Sequence, residues 1–291
     1  MKTSLKIAGG ALATLVIAAG STWLWASAKT QAALARRLPV VELEVGDTVR
    51  AAQVELGARI VTVRNGCVDC HGQDLGGGRV VDNPLLGRIW APNITPARLA
   101  GWTDGAIARA VSRGVAPDGR PLLVMPSFEY SHLSQGDVAA VVAYLRSVPR
   151  VERDVPAQRI GPLGAVLYAT GKLPLFAADQ IAQDAAFRDK PDEAPTAEFG
   201  RYLATSACIG CHGAEFRGGP IPGGAPEWAP AASLRLGADP RWSAQAFAAT
   251  MRDGRSAIDG HALRAPMPVA LARQMSETEV GALWQYLSTL N

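Results

Sequence analysis

Aromatic side chains are scarce in this chain of 291 residues, at 6%, and histidine is scarcer still, at four residues. Few large rings beside abundant Ala, Gly and Pro suit short helices joined by irregular loops better than a large sheet. Net charge is also low, at +3, and it is dispersed, so there is no basic footprint for nucleic acid. Cysteine is limited to four residues in two tight pairs, which gives no long-range pattern of disulfides. What remains is nearly half apolar and moderately charged, the composition of packed globular structure, with length enough for two domains.

The first thirty residues set the compartment. Lys2 and Lys6 precede an uncharged run from Ile7 to Ala26. As a helix that run reaches about 30 Å, the hydrocarbon thickness of a bilayer. Trp23 and Trp25 fall where an interfacial aromatic belt lies, with the lysines on the cytoplasmic side. The alternative is a signal peptide cleaved at the small-x-small site Ala26-Ser27-Ala28, although the apolar run is longer than such segments usually are. Either reading exports the rest of the chain.

All four cysteines belong to two copies of one pattern, Cys67-Val68-Asp69-Cys70-His71 and Cys208-Ile209-Gly210-Cys211-His212. The repeat extends well beyond these residues. His71 lies 54 positions before Met125-Pro126 and His212 lies 55 before Met267-Pro268, and each methionine lies 19 positions before a Tyr-Leu pair, at Tyr144 and Tyr286. Trp102-Thr103 answers to Trp242-Ser243, and Asp118-Gly119 to Asp259-Gly260. Such agreement in order and spacing marks a duplicated unit. Ser134 to Asp137 and Ser276 to Glu279 read as helix starts leading into apolar-periodic runs, and further helices are expected over 51–63, 103–112, 198–205 and 243–252. The expectation is therefore all-α, with two tandem domains after an N-terminal transmembrane helix. Its boundaries are an anchor at 1–28, a linker at 29–48, a first domain at 49–150, a connector at 151–192 and a second domain at 193–291. The connector carries an apolar stretch from Gly161 to Phe176, expected to dock on a domain or to meet a partner.

Cysteines at i and i+3 share a face of a helical turn, so their thiols reach two vinyl groups of one haem and the next histidine presents an imidazole to its iron. Each copy is expected to carry one covalent haem c, on Cys67, Cys70 and His71, and on Cys208, Cys211 and His212. A redox disulfide or a shared zinc site is the competing reading of the cysteines, but neither needs two histidines and two Met-Pro elements. Met125 and Met267 are the expected sixth ligands, completing His/Met ligation that raises the reduction potential. Met251 and Met275 read as core fillers. His132 and His261 have no counterpart in the other copy, and each is a surface residue or a replacement distal ligand. Trp102 and Trp242 read as packing residues, and Arg79, Arg88 and Arg217 as candidate partners for haem propionates.

The segment Ala91-Pro92-Asn93-Ile94-Thr95-Pro96, with Gly101-Trp102-Thr103-Asp104, Arg113-Gly114-Val115, Asp118-Gly119-Arg120, Met125-Pro126 and Ala143-Tyr144-Leu145-Arg146, resembles the membrane-bound multihaem c-type cytochromes that serve as electron-transfer subunits of periplasmic alcohol, sugar or aldehyde dehydrogenases. The second copy is similar to class I cytochrome c domains and lacks the Asn-Ile-Thr-Pro element. Two attachment motifs make this a diheme chain, where some members carry three. The resemblance implies haem domains in the periplasm at the inner membrane. It also implies a dehydrogenase or other donor, and a terminal oxidase, soluble cytochrome or quinone-linked acceptor. With both axial positions filled the expected role is electron transfer without substrate chemistry. The alternative is a diheme enzyme, a peroxidase or thiosulfate dehydrogenase, with one haem open or switchable.

Overall fold

The computed structural model describes residues 2–46, 51–225 and 227–291, the side chains of the first eleven residues excepted. Helix α1 spans Lys2–Ala35. Leu12, Leu15, Val16, Ile17, Trp23 and Trp25 stand exposed on it, while Ala26, Thr30 and Ala33 are buried. Among the described residues no helix is long and apolar enough to cross a membrane. Ile7 to Ala11 of the expected span lie outside the described side chains. Residues 36–46, within the stretch read as a linker, lie docked on the first repeat. Leu38 N–H donates to Gly119 O at 2.8 Å, Arg109 Nη1 to Val41 O at 3.0 Å and Gln135 Nε2 to Glu44 O at 2.7 Å.

The first repeat runs through α2 (Ala51–Arg59), a π-helical turn (Ile60–Arg64), α3 (Cys67–His71), β1 (Gly78–Asn83), β2 (Gly87–Ala91), α4 (Pro96–Leu99), α5 (Asp104–Arg113), α6 (Ser127–Tyr130) and α7 (Gln135–Ser147). The connector adds β3 (Arg159–Ile160) and α8 (Pro162–Ala169). The second repeat returns α9 (Ala197–Ala207), α10 (Ile209–His212), α11 (Ala244–Asp253), α12 (Val269–Ala272) and α13 (Glu277–Leu287). Side-chain oxygens of Thr103, Ser134, Thr196, Ser243 and Ser276 each accept a backbone N–H at a helix start, and Ser276 with Glu279 closes a reciprocal capping box.

Within each repeat the first and last helices cross at a glycine. A Cβ on Gly57 would come within 1.9 Å of Ala140 O, and one on Gly200 within 1.9 Å of Ala282 O. The same two glycines lie under the Cβ atoms of Tyr144 and Tyr286. Ten positions separate Gly57 from Cys67, but eight separate Gly200 from Cys208. The π-helical turn lies within the longer interval, where a wider turn takes up extra residues without breaking the helix.

The all-α expectation needs correction. β1, β2 and β3 form an antiparallel sheet in that order, with Gly78 opposite Ala91 and Gly87 opposite Ile160. Asn83 closes the hairpin, its Oδ1 accepting from Leu85 N–H at 2.9 Å and Leu86 N–H at 3.0 Å. Among the described residues, the corresponding stretch of the second repeat has the isolated bridge Gly219 to Ala231.

The apolar connector docks in part within the chain, with Leu163 left exposed. α8 packs on α1, and Lys29 Nζ donates to Ala169 O at 2.8 Å. Leu175 and Phe176 are buried with Ala33. One continuous core joins the two repeats, from Val45 and Ile60 to Leu283 and Leu287. Their junction is quasi-two-fold. Arg59 and Arg64, from the helical segment before the first motif, bind Glu279 at the start of α13. Tyr202, from the helix before the second motif, donates to Asp137 Oδ2 at 2.7 Å at the start of α7 and accepts from Ser134 N–H at 2.9 Å. Near the centre Asn65 Nδ2 donates to Ser206 O at 2.7 Å, and each of these residues stands two positions before its own first cysteine.

Candidate haem sites

The first motif begins at Gly66, whose φ of 59° is left-handed and turns the chain into α3. One helical turn then sets Cys67 and Cys70 on a common face with His71 after them. His71 is 8% exposed, and its Nδ1 lies 2.8 Å from Pro92 O. A carbonyl oxygen only accepts, so Nδ1 carries the proton and Nε2 keeps its lone pair for a metal. Burial lowers the imidazole's pKa, against the raising effect of that hydrogen bond, and so favours this neutral form.

Cys67, Cys70, His71 and Met125 line one cavity of about 470 Å³, walled mainly by apolar side chains such as Ile89 and Leu145. Met125 follows Val124, a β-branched residue at φ 65°. That backbone costs about 1–3 kcal/mol. The connector holds it in place, as Val124 N–H donates to Leu175 O at 2.7 Å. The adjoining wall is fixed by Asn93, whose Oδ1 accepts from Thr95 N–H at 2.9 Å and whose Nδ2 donates to Val151 O at 2.6 Å.

The donor set suits a macrocycle with an anionic edge. Trp90 lines the cavity, and its Nε1 is buried without a partner, an orphan donor of the kind a bound carboxylate satisfies. Arg98, Arg120 and Arg153 line the same cavity. Each of these three pairs with a carboxylate, Arg98 with Asp154, Arg120 with Asp118 and Arg153 with Asp74. Of the arginines singled out from sequence, Arg88 faces Asp82, Arg217 binds Glu215 at 2.7 Å, and none lines this cavity. The four cysteines form no disulfide. Burial pushes the Cys67 and Cys208 thiols up to about 12. Among the described residues no cluster of three or more His, Cys, Asp or Glu is placed to hold a metal ion. The zinc reading therefore loses its geometry.

In the second repeat Cys208 precedes α10, which carries Cys211 and His212. His212 Nδ1 donates to Ala232 O at 2.8 Å, the counterpart of the His71 to Pro92 bond, and so presents Nε2 in the same manner. Met267 and Trp242 pack against the shared core, as do Met125 and Trp102 in the first repeat. Met251 is buried and Met275 half-buried in that core, as expected of fillers. His261 is exposed and its Nδ1 lies 2.5 Å from Asp259. His132 Nδ1 donates to Phe128 O at 3.1 Å, and neither histidine lines the cavity of the first repeat.

Two features escaped sequence reasoning. The Trp90 indole carried a weak signal in the alternating Arg88-Ile89-Trp90-Ala91 strand. Glu129, buried in α6, reaches across the junction to accept from Gly210 N–H at 2.7 Å, inside the second motif. The residue four positions after the methionine in the second repeat is Leu271, so comparison of the copies marks Glu129 as an unmatched charge.

Residues 52–145 match the family model for the cbb3-type cytochrome c oxidase subunit III, and residues 197–291 that for cytochrome c. The chain is similar to one of the subunits of nicotinate dehydrogenase from Pseudomonas putida, with 29% identity over 82% of this chain and 21% of the relative. It is also similar to the gluconate 2-dehydrogenase cytochrome c subunit of Pantoea cypripedii, with 31% identity over 50% of this chain and 35% of that one. A diheme cytochrome c-type protein of Cereibacter sphaeroides shares 29% identity over 68% of this chain and 66% of its own length. The aligned region thus spans about a fifth of the first relative and about a third of the second.

Proposed function

Because the chain belongs to the diheme c-type cytochromes, with two cytochrome c domains and hence two covalent haem c groups, we propose that it carries single electrons from a periplasmic dehydrogenase to a respiratory acceptor, with His/Met ligation at both irons. When bound, each haem supplies a one-electron couple. Cys67 and Cys70, and Cys208 and Cys211, fix the two groups through thioether bonds. His71 and His212 offer Nε2, oriented by the carbonyls of Pro92 and Ala232. Met125 and Met267 would offer thioether sulfurs to the two irons, ligation that favours the ferrous state and would leave no position for substrate.

The observation that carries this reading is the convergence of Cys67, Cys70, His71 and Met125 on one cavity. The names of the relatives support a dehydrogenase as donor. A terminal oxidase, a soluble cytochrome or a quinone-linked protein is the acceptor class. We place both domains in the periplasm and assign α1 as their tether to the inner membrane, on the strength of Lys2, Lys6 and the uncharged run that follows. Fractionation of cells expressing the full chain and a form lacking residues 1–28 behind a cleavable leader tests the tether. The full chain should sediment with membranes and the shortened form should not. The electron-transfer reading is tested by exposing the dithionite-reduced holoprotein to carbon monoxide. Unchanged spectra are expected, whereas rapid binding at either haem, with peroxide or thiosulfate turnover, would establish the enzyme alternative.

A further inference from the structure

The quasi-two-fold junction is matched position for position at Asn65 and Ser206, and at Asp137 and Glu279, but it is broken at Glu129. This carboxylate belongs to the first domain, on the short helix four positions after Met125. It is 9% exposed and hydrogen-bonds the second domain's attachment loop through Gly210 N–H, between Cys208 and Cys211. The packing there is close, since a Cβ on Gly210 would come within 2.9 Å of Glu129 Oε1. Among the described residues no Lys or Arg lies within ion-pair distance of it. At the same position of the second domain stands Leu271, whose Cδ1 would meet a Cβ on Gly66 at 2.6 Å, beside the first motif. Each attachment loop therefore receives one side chain from the partner domain, charged in one direction and apolar in the other.

We propose that Glu129 is a positioning residue by which the first domain sets the reduction potential of the second haem, holding it below the value it would have with an uncharged neighbour. Oxidised haem iron carries one more positive charge than reduced. A negative charge buried beside the attachment loop, where screening by water is weak, stabilises the oxidised state. When Glu129 is ionised, the hydrogen bond to Gly210 fixes that charge against the loop. Leu271 exerts no such effect on the first haem, so this exchange in the duplicated unit acts on one couple and spares the other. This inference rests on His212 and Met267 ligating the second iron.

The test is spectroelectrochemical titration of the full-length holoprotein, wild type against Glu129→Gln, at about pH 9, above the value of about 7 to which burial pushes the Glu129 carboxyl. Glutamine keeps the acceptor for Gly210 N–H and removes only the charge. The equilibrium constant for reduction of the second haem should rise roughly tenfold, which is about 59 mV for one electron, while the first stays unchanged. Glu129→Leu, which copies position 271, should raise it at least as much. The red-edge methionine band and haem content of each variant are recorded alongside. With two haems and both bands intact, unmoved potentials in Glu129→Gln overturn the inference and leave electron transfer standing, even if Glu129→Leu shifts them. A wild-type protein that lacks a His/Met second haem removes the premise, and the inference falls with it.

Discussion

His71 is 8% exposed in the first domain, whereas His212, at the same place in the second, is half-buried. The frames around them match: a capped last helix, a glycine crossing beneath a tyrosine, and a histidine Nδ1 held by a carbonyl. What differs is the cover. Among the described residues, the β1–β3 sheet, the docked residues 36–46 and the Leu175 carbonyl beneath Val124 cover the first domain and not the second. The second presents its attachment loop to Glu129 of its neighbour. The comparison teaches that duplication preserved the ligand-bearing frame while the two haem environments diverged. A drier haem site disfavours the extra charge of oxidised iron, so the first haem is expected at the higher potential.

The most direct way to break the comparison is to remove one side of it. Cys208→Ser with Cys211→Ser should halve covalently bound haem, measured by alkaline pyridine spectra against protein concentration, while the methionine band of the first haem persists. Loss of both haems would show that the domains do not mature independently.

The junction comes next in size. Glu279→Ala leaves the buried Arg64 with Glu193 as its remaining carboxylate partner and removes a capping box, which should cost about 1.5–3 kcal/mol in denaturant unfolding. Tyr202→Phe, on the opposite side of the quasi-two-fold axis, removes a neutral donor and should cost about 1 kcal/mol. The two sides also differ with pH. Burial acts to raise the Glu279 carboxyl, but hydrogen bonds from Arg59 and Arg64 outweigh it and hold the group below its ordinary value of 4.5. A carboxyl depressed in the folded state stabilises above its unfolded value, and that contribution is lost as pH falls through the folded one. Wild-type stability should therefore drop below about pH 4.5, and Glu279→Gln should show a shallower decline there. An equal slope in both proteins would count against the ion pair.

The smallest effect sharpens the contrast between sites. Trp90→Phe removes from the first cavity alone the indole donor that would bond a haem carboxylate, a bond worth about 1 kcal/mol in the holoprotein. The potential of the first haem should shift slightly and that of the second should hold. A shift in both would mean that the substitution acts through the shared core.

Much of this architecture was legible because its signals are local. Cys67 to His71, the Met125-Pro126 element and the Ser134 and Ser276 caps each lie within a few residues, and the duplication made every one count twice. The sheet was missed because its strands are short and split between the first repeat and a connector that has no counterpart. The junction was missed for a different reason. Arg64 and Glu279 lie 215 positions apart, and nothing near either residue signals the other. Glu129 could have been noticed as the charged member of an otherwise apolar pair with Leu271, but its reach to Gly210 exists only once the domains are docked.

The measurement that bears most directly on the account is the oxidised absorption spectrum at its red edge, where methionine sulfur on ferric haem gives a charge-transfer band, quantified per haem in the purified holoprotein. Two closed His/Met sites predict intensity for both haems, lost by half in Met125→Ala and by half in Met267→Ala. Intensity for one haem, or a band that survives either substitution, would contradict the assignment of Met125 and Met267 as the matched ligands of the two domains.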